Sequence, residues 1–98
     1  PAYFFLFCRS LINTAVRKGI PENIAVKLVL KTMDGSGAMM EAFNCDTEGL
    51  IKMVKSPGGT TEAALNKFSE KNFEGIINEA VENAVIRAVK IQDSLENI

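Results

Sequence analysis

Apolar positions recur at steps of three and four along most of the chain, the spacing of one face of an α-helix. Pro1 suits a first helical position, where its missing N–H costs nothing. Phe4, Phe7, Leu11 and Ala15 then carry a stripe that Phe5, Ile12 and Val16 widen. Arg17 and Lys18 complement the dipole at the end of that helix, and Gly19 can take the left-handed capping conformation. Pro21 opens a second helix with Glu22 in its first turn; Ile24, Leu28 and Met33 form its stripe, which Ala25, Val29, Met39 and Met40 extend toward Phe43. Gly35 and Gly37 interrupt this pattern, each at about 1 kcal/mol relative to Ala inside a helix. Either the helix ends at Asp34 and restarts, or another backbone approaches closely there. The small residues Gly35, Ser36, Ala38 and Ala42 favour close packing.

Asp46 is a good N-cap for a short third helix bearing Leu50, Ile51, Met53 and Val54. Pro57, Gly58 and Gly59 must break it. Thr60 or Thr61 then caps a fourth helix, with Glu62 in the first turn and apolar positions through Leu65 to Phe68. A turn at Lys71 and Asn72 leads into the longest periodic stretch. With no convincing alternating strand, the pattern predicts an all-α, five-helix bundle with helices at about 1–18, 21–43, 47–54, 60–70 and 73–96, in one domain over 1–98.

The last helix carries more than one stripe. Phe73, Ile77, Ala80, Ala84, Ala88, Ile91 and Leu95 line one face, and Ile76, Val81, Val85 and Val89 add a second line. An ordinary surface helix needs an apolar arc of roughly 100°. This one needs cover on two sides, which a 98-residue monomer cannot supply. The expected solution is an intertwined two-fold dimer in which paired chains share a core.

Composition narrows the function classes. Eleven basic and twelve acidic residues leave a net charge of −1, with no like-charge run to neutralise phosphates, so nucleic acid and a polybasic membrane anchor are disfavoured. There is no His, which removes an imidazole base, His-based nucleophile pairs and His metal sites. Cys8 and Cys45 have no CxxC partner and read as reduced, buried small hydrophobes. The apolar run 2–8 is far too short to span a bilayer. It also lacks the basic region and cleavage site of a signal peptide, so a cytoplasmic setting is expected. A chain opening on Pro1 into an apolar helix is expected to be part of a longer protein.

One segment suits a ligand: Ser56-Pro57-Gly58-Gly59-Thr60-Thr61. Glycine leaves backbone N–H groups unshielded, and the helix that follows aims its positive end at the same place, which fits a carboxylate or phosphate. The threonines add hydroxyls that can donate or accept. The alternative is ordinary loop punctuation, a Pro-Gly-Gly turn before a capped helix. No Gly-Lys-Ser/Thr follows, so it is not a Walker A loop. Lys52 and Lys55 flank the loop as a positive field or as solvated surface lysines. Tyr3 reads as packing, and Asp46 with Glu48 as helix capping rather than an acid–base pair.

Pro1-Ala2-Tyr3-Phe4-Phe5, Gly19-Ile20-Pro21, the loop above, Phe73-Glu74-Gly75 and the closing Ala80, Glu82, Ala84 and Arg87 together resemble the C-terminal domain of pyrroline-5-carboxylate reductase, over nearly the whole chain. The resemblance implies a two-domain enzyme whose N-terminal Rossmann domain binds NADP or NAD, while this half binds no cofactor and no metal. It implies a homodimer, open to a higher assembly of dimers, acting on a small imino acid: 1-pyrroline-5-carboxylate is reduced to L-proline. Carried onto this chain, the amides of Gly58, Gly59 and Thr60 hold the substrate carboxylate, Ser56 belongs to the binding loop, and Val54 lines the substrate wall. The Thr61 hydroxyl meets the ring nitrogen as the catalytic group, orienting the imine or relaying a proton. By itself this half is expected to be inactive. A non-catalytic helical dimerisation module, or an imine reductase with another substrate, remain the alternatives.

Overall fold

A computed structural model describes residues 1–97. It contains five helices, α1 Ala2–Arg17, α2 Glu22–Ala42, α3 Thr47–Val54, α4 Thr60–Glu70 and α5 Phe73–Glu96, and no strand among the described residues. The all-α expectation holds, and no boundary moves by more than a residue. The chain divides into two compact units, Pro1–Lys52 and Met53–Ile98.

In the first unit α1 and α2 pack together. Half-buried Cys8, Ile12 and Ala15 on α1, with buried Ala25 and half-buried Val29 and Met39 on α2, mark the seam. The connection is a Schellman motif. Gly19 is left-handed at φ +100, its N–H donates to the Val16 carbonyl at 3.0 Å, and the Ile20 N–H donates to the Ala15 carbonyl at 3.1 Å. Two carbonyls orphaned by the end of α1 are thereby satisfied. α2 runs unbroken through Gly35 and Gly37, so the restart reading fails. A Cβ at either glycine would meet nothing within 4 Å. The close approach expected there finds no neighbour within the chain.

α2 ends in a second Schellman closure, on Asn44 at φ 56 rather than on glycine. The Cys45 N–H reaches the Met40 carbonyl at 2.7 Å. Cys45 is itself left-handed at φ 59. It is exposed, Cys8 is half-buried, and both thiols are free. The expectation of two buried cysteines is therefore corrected, because Cys45 sits on a turn that leads from α2 to α3. Asp46 caps α3 as expected, its Oδ1 accepting the Gly49 N–H at 3.1 Å.

In the second unit Asn72, left-handed at φ 58, both closes α4 and opens α5. Around this corner the Phe68 and Phe73 rings meet edge to face, 5.2 Å between centroids, a favoured aromatic geometry. No residue of α5 is buried. Ile76, Ile77, Val81, Val85, Val89, Ile91 and Leu95 all stand exposed. Ala25 is the sole buried apolar residue among those described. No described helix is long and apolar enough to cross a membrane.

Candidate functional site

The predicted loop lies wholly in the second unit, between the end of α3 and the start of α4. Ser56 to Gly59 form a β-turn: the Gly59 N–H donates to the Ser56 carbonyl at 3.0 Å, and Gly58 has φ +72. Pro at the second position and a positive φ at the third define a type II turn, which asks for the Pro57-Gly58 pair found there. Gly59 follows with an extended backbone, φ −87 and ψ −178, and serves as N-cap of α4. A Cβ on Gly59 would lie 3.1 Å from the Ser56 carbonyl oxygen, too close for the turn to remain undisturbed. The two glycines thus suit the turn for different reasons, one for its torsion angle and one for its close neighbour.

The helix begins one residue earlier than a threonine cap would allow. Thr60 and Thr61 are the first two residues of α4, and no side chain caps it. Because the turn ends on an extended glycine, that residue takes the cap position and displaces the threonines into the helix. Among the described residues their hydroxyls make no hydrogen bond, and their backbone N–H groups donate none. The Gly58 and Gly59 amides, by contrast, already have acceptors. The first donates to Glu62 Oε1 at 3.2 Å and the second to Ser56. At the positive end of α4, Thr60 and Thr61 therefore present open donors.

Val54, the last residue of α3, is exposed, and Lys55 is half-buried. An open apolar groove of about 460 Å³ lies elsewhere in this unit, lined by Ala64, Lys67, Phe68, Lys71, Phe73 and Ile76. None of these belongs to the loop. Within one chain the loop is exposed, apart from half-buried Gly59. The described residues bring no group of three or more Asp, Glu, Cys or His together for a metal. Sequence reasoning placed Glu62 only as a favourable first-turn charge. Its spacing from Gly58, four residues on, was the signal that it reaches back.

The family model described as pyrroline-5-carboxylate reductase dimerisation matches residues 1–91. The pyrroline-5-carboxylate reductase of Pseudomonas aeruginosa is 32% identical over 95 residues, covering 97% of this chain and 35% of that protein. That of Escherichia coli is 33% identical over 94 residues, covering 96% and 35%. The crystal structure of Plasmodium falciparum pyrroline carboxylate reductase with NADP bound superposes with a TM-score of 0.82 at 34% identity, over 86% of this chain and 33% of that one. The chain spans about a third of the length of these relatives. By a match that runs from Pro1 through the candidate loop and most of α5, it belongs to the pyrroline-5-carboxylate reductase dimerisation family.

Proposed function

We propose that this chain is the dimerisation and substrate-binding part of a two-domain, cytoplasmic reductase that converts 1-pyrroline-5-carboxylate to L-proline. The observation that carries the reading is the start of α4. Two adjacent amides, Thr60 and Thr61, stand without acceptors at a helix N-terminus, where a carboxylate is favoured. Two free hydroxyls lie beside them. The substrate has the matching pair of groups, a carboxylate and a ring nitrogen on neighbouring sides of a small ring.

In the reduction a hydride adds to the carbon of the C=N bond, C2 of the pyrroline ring, which lies across the nitrogen from the carboxylate-bearing C5; the π electrons move to nitrogen, and a proton completes the amine. The described residues form helices and loops without the strand–turn–helix unit by which a Rossmann domain seats a dinucleotide. NAD(P)H, the hydride donor, is assigned to the other domain of the complete enzyme. This chain's share is binding and orientation. The Thr60 and Thr61 amides hold the carboxylate. The Thr61 hydroxyl hydrogen-bonds the ring nitrogen, orienting the imine or relaying the proton from solvent. Ser56, Gly58 and Gly59 shape the turn that aims these donors, and Val54 lines the wall. A hydroxyl of ordinary acidity does not drive protonation; placing it correctly does the work.

The uncovered faces of α5 support a homodimer, and dimers able to associate further. The test is steady-state reduction by the complete enzyme and its Thr61 variants. Thr61→Val keeps the shape and removes the hydroxyl, and kcat is expected to fall about 100-fold; Thr61→Ser restores most of it. An unchanged rate in Thr61→Val removes the residue from the mechanism. A larger cyclic imine reduced better than pyrroline-5-carboxylate overturns the substrate.

A further inference from the structure

Types I and II of the β-turn differ by a flip of the central peptide, which exchanges the directions of its N–H and its carbonyl. For the turn at Ser56 that peptide joins Pro57 to Gly58. Proline at the second position is compatible with both types, and glycine at the third adopts either sign of φ. The turn's own residues favour type II without excluding the flip. What adds to that preference in this structure is Glu62, the third residue of α4. Its half-buried side chain reaches back over the first turn, and Oε1 accepts the Gly58 N–H at 3.2 Å. The flipped peptide would turn the Pro57 carbonyl toward that carboxylate and lose the bond.

We infer that Glu62 is a positioning residue: by holding the Gly58 amide it locks the Pro57–Gly58 peptide in the type II orientation and so fixes the direction in which Thr60 and Thr61 present their donors to the substrate carboxylate. The functional half of this inference rests on the site reading under Proposed function. The lock has a second effect. A carboxylate of the protein stands beside the place meant for a carboxylate of the substrate. Because it is engaged by Gly58, it is held away from the Thr60 and Thr61 amides, for which it would otherwise compete. The reach of the acceptor oxygen decides, since aspartate is one methylene shorter and falls short of the turn.

The experiment compares Glu62→Ala, Glu62→Asp and Glu62→Gln in the complete enzyme, with amide hydrogen exchange at Gly58 as an activity-independent readout. Glutamine keeps an oxygen acceptor at the same reach. Losing one charge-assisted hydrogen bond is expected to raise KM for the imino acid about tenfold in Glu62→Ala and Glu62→Asp, with KM for the nicotinamide cofactor unchanged. Glu62→Gln stays near the wild type. Protection of the Gly58 amide follows the same order. An unchanged KM in Glu62→Ala, a lowered one that marks Glu62 as a competitor, or a Glu62→Gln no better than Glu62→Ala overturns the proposal. If the wild type does not reduce pyrroline-5-carboxylate, the site reading falls by itself. The lock then stands or falls on whether Gly58 protection is lost in Glu62→Ala.

Discussion

Gly58 and Gly59 look alike in the sequence and do different things in the loop. Gly58 holds φ +72 with open space where a Cβ would go. Gly58→Ala therefore costs about 1–2 kcal/mol through the left-handed torsion angle alone. Gly59 has an extended φ that any residue adopts, but its Cβ would press on the Ser56 carbonyl. Thermal unfolding should show Gly58→Ala destabilised by that amount. Gly58→Asn should recover part of the loss, because Asn tolerates left-handed backbone. No such rescue is expected at Gly59, where Asn adds the same offending Cβ. Equal behaviour of Asn and Ala at Gly58 would sink the torsional account. A glycine turn before a helix was legible in the sequence. Which amides remain open was not, since that depends on the turn type and on a side chain four residues away.

Helix ends decided most of the element boundaries. Gly19 announced its Schellman turn because glycine is the residue that takes a left-handed cap without cost. Asn44 and Asn72 do the same with a side chain and were less visible, as Asn serves equally as an N-cap or a plain turn residue. Asp46 illustrates how two local rules collide. Its carboxylate accepts the Gly49 amide at 3.1 Å, and its Oδ2 lies where the Cβ of any other residue at position 49 would be. Asp46→Ala should cost about 1 kcal/mol as a lost N-cap. Gly49→Ala gains about 1 kcal/mol of helix propensity but must push the cap aside, so the single variant should come out near neutral. In an Asp46→Ala background the propensity gain should appear in full. Chemical denaturation of the two single variants and the double variant measures this coupling. Simple additivity would show that the cap and the glycine act independently.

At the scale of the whole molecule, the breadth of the apolar arc on α5 was the most informative pattern in the sequence. α5 is continuous from Phe73 to Glu96 and buries none of its residues. Covering a Val, Ile or Leu side chain fully contributes about 1.5–3 kcal/mol. With Ile76, Ile77, Val81, Val85, Ile86, Val89, Ile91 and Leu95 each left roughly half exposed, the uncovered face forgoes on the order of 10 kcal/mol. Domains are stable by only about 5–15 kcal/mol in total, so an uncovered α5 of this kind is not a state that persists in water. The sequence could show that cover was needed. It could not show its geometry, because periodicity records which side of a helix is apolar and not what lies against it. Gly35 and Gly37 have the same character: both are open to 4 Å within the chain, although each weakens α2 intrinsically. If second copies supply the cover, folding and association are linked, and the midpoint of thermal unfolding must rise with protein concentration. Light scattering over the same dilution series should give twice the chain mass at the concentrated end. Val85→Glu on the second apolar line of α5 should lower both the mass and the midpoint, while Glu82→Gln leaves them unchanged. A concentration-independent midpoint with a monomeric mass would mean that α5 is covered from within its own chain, and the dimer would have to be abandoned.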